Sequence, residues 1–176
     1  MAKDSIALIG FMASGKTTIG IELVKYLGED YTFIETDQII VQDIGKSIPE
    51  IFAEEGESKF REYESSICEK VSKLHKVIIS CGGGVVLHNI NIENLKKNCH
   101  IVLLKAPLDE IYKRSIKNGK HKRPIINKGD LKTEIEKVLN FRRPYYEKAA
   151  EVIIETTNRK IEDIVSEIVI KTQLKT

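Results

Sequence analysis

GFMASGKTT, residues 10–18, is the stretch that decides the fold of this chain. It contains G-x-x-x-x-G-K-[ST] as Gly10, Gly15, Lys16 and Thr17, the pattern of a phosphate-binding loop. In such a loop the backbone N–H groups turn inward onto a nucleotide's phosphates. The lysine reaches the terminal phosphates, and the hydroxyl sits on Mg²⁺. The flanks agree with the motif. Upstream, SIALI (5–9) is a short apolar run suited to a buried parallel strand. Downstream, Ile19, Leu23 and Leu27 recur at helical spacing. Strand, glycine-bearing turn and helix is the setting the motif requires, because the helix N-terminus adds its dipole to the anion site.

The bulk properties narrow the field. A length of 176 residues fits one domain with a sizeable core. The 28 basic and 26 acidic residues leave a formal charge of +2, which argues against a general nucleic-acid binder. A basic cluster at 117–123, KNGKHKR, is the local exception. No run approaches the ~20 apolar residues that span a bilayer. The chain enters its first strand almost at once, so neither a secretory nor a transit segment is expected. Cys68, Cys81 and Cys99 are odd in number and form no C-x-x-C pair, which reads as reduced thiols of a cytoplasmic protein. The histidines show no ligand spacing, and no zinc is expected.

Further apolar strand candidates recur at 31–35, 77–81, 100–105 and 151–155, with helical patterns between them. Alternation of this kind predicts an α/β layer fold with a parallel sheet. Ligands of such sheets sit at the carboxyl ends of the strands. The phosphate loop comes directly after the first strand; after the second come Glu35, Thr36 and Asp37; after the third comes a triple glycine, 82–84. Ser47-Ile48-Pro49-Glu50 is a capping box that opens a short helix at Ile48. A longer helix over 57–74 is expected to bury Phe60, Ile67, Val71 and Leu74. The stretch 117–130 has glycines, charge and little periodicity, and reads as a mobile loop. A helix resumes over 131–150 with an apolar stripe of Leu131, Ile135, Val138, Tyr145 and Ala149. The last helix, 160–172, carries Ile161, Ile164, Val165, Ile168 and Val169.

Five features carry the chemistry, each with a plainer alternative. With Glu35, Asp37 suits the tasks a kinase gives to carboxylates, orienting and deprotonating an attacking hydroxyl and helping to hold the metal. It suits equally an N-cap of the helix beginning at Gln38. The glycines 82–84 offer close backbone approach to a substrate, or a flexible turn. Arg142 falls on the core-facing stripe and there needs an anion or carbonyl partner, unless it snorkels to solvent. Arg61 is a candidate anion ligand or the surface partner of Glu57 four residues earlier. Arg123, in the basic loop, resembles a residue delivered onto phosphate; its alternative is a solvated charge run.

In order and spacing these segments closely resemble the shikimate kinase family. GFMASGKTT resembles its phosphate loop, and FIETD (33–37) its second-strand acidic motif. GKSIPEIFAEEGESKFREYE (45–64) is similar to its substrate-binding helices, and the run from Arg61 through Glu64 to Gly82, Gly83 and Gly84 to its signature. RPII (123–126) resembles its lid, and RRPYYEKA (142–149) its R-x-P-x-Y segment.

The resemblance implies a three-layer P-loop kinase of the nucleoside-monophosphate-kinase type. Its single domain spans 1–176, with a five-stranded parallel sheet ordered 2-3-1-4-5 between helices. A shikimate-binding region falls at about 36–64, and a mobile lid at about 117–130. It implies ATP- and Mg²⁺-dependent phosphorylation of the 3-hydroxyl of shikimate, by a cytoplasmic monomer engaging neither nucleic acid nor membrane. Lys16, Asp37 and Arg123 are then catalytic. Ala13, Ser14, Gly15, Lys16, Thr17, Thr18, Arg114, Arg123 and Arg159 meet ATP. Asp37, Arg61, Glu64, Phe52, Phe60, Gly82, Gly83, Gly84 and Arg142 meet shikimate, with Ile48 in the pocket wall. Thr17 binds the metal directly and Glu35 through water. Three positions depart from the family pattern: Glu35 stands for the usual aspartate, Ala13 for a frequent glycine, and Ile161 for a frequent proline near the adenine. Two other readings compete for the same residues: a gluconate-type kinase of a small polyol, and a nucleotide-binding module without catalysis.

Overall fold

The structure is a computed structural model that describes residues 3–117 and 130–174. Five strands, β1 (Ser5–Ile9), β2 (Thr32–Glu35), β3 (Val77–Ser80), β4 (Cys99–Lys105) and β5 (Val152–Glu155), form one sheet in the order β2-β3-β1-β4-β5. Every pairing is parallel; Ala7 of β1, for example, lies opposite Ile79 on one side and Ile101 on the other. Fold class and strand order are those the sequence and the resemblance predict. The alternation of side chains along a strand divides the core in two. Ala7, Ile9, Ile79, Ile101 and Leu103 face one apolar cluster, while Ile6, Leu8, Ile78, Val102 and Leu104 face the other.

The second cluster is closed by α1 (Lys16–Leu27) through Ile19, Leu23 and Leu27, and by α8 (Ile161–Thr172) through Ile164, Val165 and Ile168. The first is closed by α2 (Thr36–Ile44), α3 (Ile48–Glu54), α4 (Gly56–Val71), α5 (Asn89–Lys96), α6 (Leu108–Lys117) and α7 (Leu131–Ala149). The result is helices on both faces of a parallel sheet, with all strand carboxyl ends at one edge. The site is built on that edge.

Two details correct the sequence reading. The helix α4 stops at Val71, so Leu74 lies beyond it and is exposed. On α7 the buried face runs Ile135, Leu139, Arg142, Tyr146 and Ala149. Leu131 and Val138 are only half-buried, and Tyr145 points outward. The true stripe keeps Ile135, Arg142 and Ala149 but replaces Val138 and Tyr145 with their neighbours Leu139 and Tyr146. Spacing of four, three, four and three keeps to one helical face, and it selects Tyr146 rather than Tyr145.

Candidate active site

The phosphate loop owes its shape to backbone that side chains resist. Gly10 has φ +143 and Gly15 has φ +103, and a Cβ on Gly10 would lie 2.5 Å from the Leu104 carbonyl. Ala13 also sits in the left-handed region, at φ 58. Glycine would adopt that conformation without strain, so the alanine here carries a small conformational cost. Helix α1 opens with no side-chain cap and no acidic residue in its first turn, so its leading N–H groups and dipole suit an external anion. Lys16 Nζ donates to the carbonyls of Gly10 at 2.8 Å and Phe11 at 2.9 Å. The Ser14 hydroxyl is buried without a partner. A cavity of about 290 Å³ spreads from this loop, lined by Ala13 to Thr18, Glu35, Arg114, Arg159 and Ile161.

Both outlying arginines of that cavity are tethered. Arg114 donates to Glu110, to the hydroxyl and carbonyl of Thr156, and to the Ala13 carbonyl. Arg159 pairs with Glu167 at 2.6 Å and donates to the Glu155 carbonyl. Thr17 donates to Glu35 Oε1 at 3.2 Å, and Gln38 donates to the other carboxylate oxygen at 3.1 Å.

A second cavity, about 310 Å³, opens on the other side of Asp37. Its wall contains Asp37, Ile48, Phe52, Phe60, Arg61, Glu64, Gly82, Gly83, Gly84 and Arg142. The apolar part is built by α3 and α4, whose rings Phe52 and Phe60 pack in a tilted pair with centroids 4.8 Å apart. The entry angle of α3 is fixed by the capping box: Ser47 Oγ accepts from Glu50 N–H, and the Glu50 carboxylate accepts from Ser47 N–H.

The polar part is deeply buried. Arg61 bridges Glu57 at 3.0 Å and Glu64 at 2.8 Å, so the i,i+4 pairing exists but an inner carboxylate competes for the same guanidinium. Burial works against the Arg61 charge, yet Glu64 and Glu57 overcome it and hold the guanidinium pKa above its ordinary value. Burial lifts the Glu64 carboxyl above its ordinary value, although Arg61 and Arg142 pull the other way. Arg142 is 8 % exposed, which removes the snorkelling alternative; it donates to the Gly83 carbonyl at 3.1 Å and keeps a buried Nε with no partner.

Asp37 does not cap α2. The cap position is Glu35, the helix begins at Thr36, and Asp37 lies within the first turn. Its Oδ1 is buried without a hydrogen-bond partner. Asp37, Met12 and Gly83 line both cavities, so the two chambers meet there. The glycines are explained by proximity. A Cβ on Gly82 would lie 2.6 Å from Asp37 Oδ1 and 2.9 Å from Glu64 Oε1, and one on Gly84 would collide with the Arg61 guanidinium.

The structure thus gathers every predicted site position among the described residues around two joined chambers. Arg123 and nearly all of the proposed lid lie outside the described residues. The sequence reading missed Phe11, Met12, Val41, Pro49 and Val138 in the second cavity. Val41 had a signal, since it stands four residues from Asp37 on the same helical face.

Chemically, one chamber offers phosphate-binding backbone and cations. The other offers buried arginines for a small anion, and an unpartnered carboxylate stands between them. Residues 12–173 match the family model described as "Shikimate kinase". A shikimate kinase of Caldicellulosiruptor bescii is 44% identical over 81% of this chain and 80% of its own length. One of Symbiobacterium thermophilum is 36% identical over 96% of each chain. Among solved structures, the shikimate kinase of Acinetobacter baumannii in complex with shikimate superposes with a TM-score of 0.87 at 29% identity, covering 95% of this chain and 91% of that one.

Proposed function

The chain belongs to the shikimate kinase family, and on that premise we propose that it transfers the γ-phosphoryl group of ATP to the 3-hydroxyl of shikimate. The products are ADP and shikimate 3-phosphate, a step of chorismate and aromatic amino-acid biosynthesis. One observation carries the reading: Asp37 lines the phosphate-loop chamber and the arginine-lined chamber at once. A donor phosphate in the first and a carboxylate-bearing alcohol in the second would meet at its unpartnered oxygen.

The chemistry rests on positioning and charge. Arg142 and Arg61 hold the shikimate carboxylate, with Glu64 orienting Arg61; guanidinium forks match a planar carboxylate in a way that an ammonium does not. Phe52, Phe60 and Ile48 cover the ring, and Gly82, Gly83 and Gly84 let it approach the main chain. Asp37 accepts the hydrogen of the 3-hydroxyl. The freed oxygen attacks the γ-phosphorus, the bond from that phosphorus to the β-bridging oxygen breaks, and ADP leaves. Lys16 steadies the β- and γ-phosphates, and the loop from Ala13 to Thr18 cradles them. Arg114 and Arg159 flank the nucleotide. Arg123 is assigned to the transferred phosphoryl group on the family resemblance.

The donor set beside the loop fits Mg²⁺. Thr17 and Glu35 supply hard oxygens, and among the described residues no group of three or more His, Cys, Asp or Glu could hold a metal ion by itself. That pairing suits an ion carried mainly by phosphates and water. Bound there, it would neutralise charge on the transferring group. We assign 1–176 to one kinase domain that works as a cytoplasmic monomer; light scattering of the purified protein tests its oligomeric state. The function is tested by coupled ADP release over shikimate, gluconate and nucleoside monophosphates. ADP is expected with shikimate alone, and turnover of gluconate or silence toward shikimate overturns the reading.

A further inference from the structure

The turn at residues 82–84 has no side chain to hold it, yet most of its peptide groups are tied. The Gly82 N–H donates to Thr36 Oγ1 at 3.0 Å. The Gly82 and Gly84 carbonyls accept from the N–H groups of Val85 at 3.2 Å and Leu87 at 3.0 Å. The Gly83 carbonyl accepts twice, from Arg142 Nη1 and from the Tyr146 hydroxyl. A carbonyl oxygen has two lone pairs, and here both are used. Tyr146 is 3 % exposed, on the same face of α7 as Arg142 and one turn further along. Burial pushes its phenol up to about 12, so it remains a donor throughout the neutral range.

We propose that Tyr146 is a positioning residue for the acceptor: its hydroxyl takes one lone pair of the Gly83 carbonyl, which fixes that peptide and leaves Arg142 a single bond to it. The inference rests on the shikimate reading above. With one N–H spent on Gly83 and Nε unpartnered, Arg142 keeps most of its fork for a carboxylate. Without the hydroxyl, the second lone pair is empty in a buried place, and an unmade bond there is costly. The nearest charged donor able to fill it is Arg142 itself, so the guanidinium turns toward Gly83 and away from the substrate. A lone anchor also lets the glycine peptide swing, since glycine resists rotation least.

Tyr146→Phe isolates the hydroxyl, because the ring stays to fill its place in the core. The KM for shikimate should rise about tenfold, the worth of one hydrogen bond. The KM for ATP should stay within about twofold, and kcat within about threefold. A residue that merely stabilised the fold would lower the melting temperature and leave the two KM values moving together or not at all; that pattern overturns the proposal. In an Arg142→Lys background, Tyr146→Phe should add less than about threefold, because its effect runs through the guanidinium. A full tenfold multiplication there counts against it. Tyr146→His keeps a ring donor and should hold the shikimate KM closer to wild type than Tyr146→Phe does; the reverse order also counts against it. Wild-type protein that neither binds nor phosphorylates shikimate overturns the functional reading and this inference with it. Normal turnover with an unchanged KM in Tyr146→Phe overturns the inference alone.

Discussion

Arg142 and Gly82 show how a single residue sets the site. Arg142 lies buried on a helical stripe where sequence alone left snorkelling open, and the structure spends one of its N–H groups on Gly83. Arg142→Ala should weaken shikimate binding by about 2–5 kcal/mol, the cost of leaving a buried charge unpaired. ATP binding should hardly change, and titration calorimetry with each ligand checks both. Gly82 lies outside the left-handed region, so alanine meets no backbone strain there. Its methyl group would instead crowd Asp37 Oδ1 and Glu64 Oε1. Gly82→Ala should therefore remain folded while kcat falls at least about tenfold through displacement of the carboxylate, since small misplacements at reacting groups are costly in rate. Steady-state kinetics beside a melting curve separate those outcomes.

At the scale of elements, α3 is the most testable piece. Its capping box joins Ser47 and Glu50, and it carries Ile48 and Phe52 into the cavity wall. Ser47→Ala should destabilise the protein by about 1 kcal/mol and raise the shikimate KM, read by denaturant melts and kinetics. The Ser47 hydroxyl, and then its N–H, hold the Glu50 carboxyl below its ordinary value of 4.5. A depressed carboxyl stabilises the fold fully above that ordinary value, and the contribution is lost as pH falls through the lowered one. Acid melts of wild type and Glu50→Gln should converge there. This box was legible because it is local: four consecutive residues specify it. The phosphate loop was legible for the same reason, and so were the strands, whose apolar runs have no other home. What the sequence hid depends on contact between distant segments. Motif and helical spacing can single out Tyr146 over Tyr145, but neither tells what its hydroxyl does; its partner, the Gly83 carbonyl, lies 63 residues away. Phe11 and Met12 occupy free positions of the loop motif, so nothing local marked them for the second chamber. Asp37 as a cap was excluded by where α2 begins, a boundary that propensity sets only to within a residue or two.

Across the whole molecule, the sheet holds chemistry at one edge, and although Cys81 borders the phosphate-loop cavity there, all three thiols are shielded from solvent. Cys68, Cys81 and Cys99 are all buried and unpaired. Burial raises the thiol pKa of each, that of Cys99 to about 12. Since the thiolate is the reacting form, the native protein should show no thiol reactive toward DTNB at pH 8, and three after unfolding in guanidinium. Early reaction of Cys68 or Cys99 would reveal opening of the core, whereas reaction of Cys81 would report access through the phosphate-loop cavity. The meeting of the two chambers at Met12, Asp37 and Gly83 has a different consequence, for inhibitor chemistry. Because the two chambers adjoin across only those residues, one molecule carrying an adenosine polyphosphate at one end and a cyclic carboxylate at the other need not choose a chamber. Once either end is seated, the other is confined at millimolar effective concentration beside its own pocket, so a short tether multiplies two modest affinities instead of adding them.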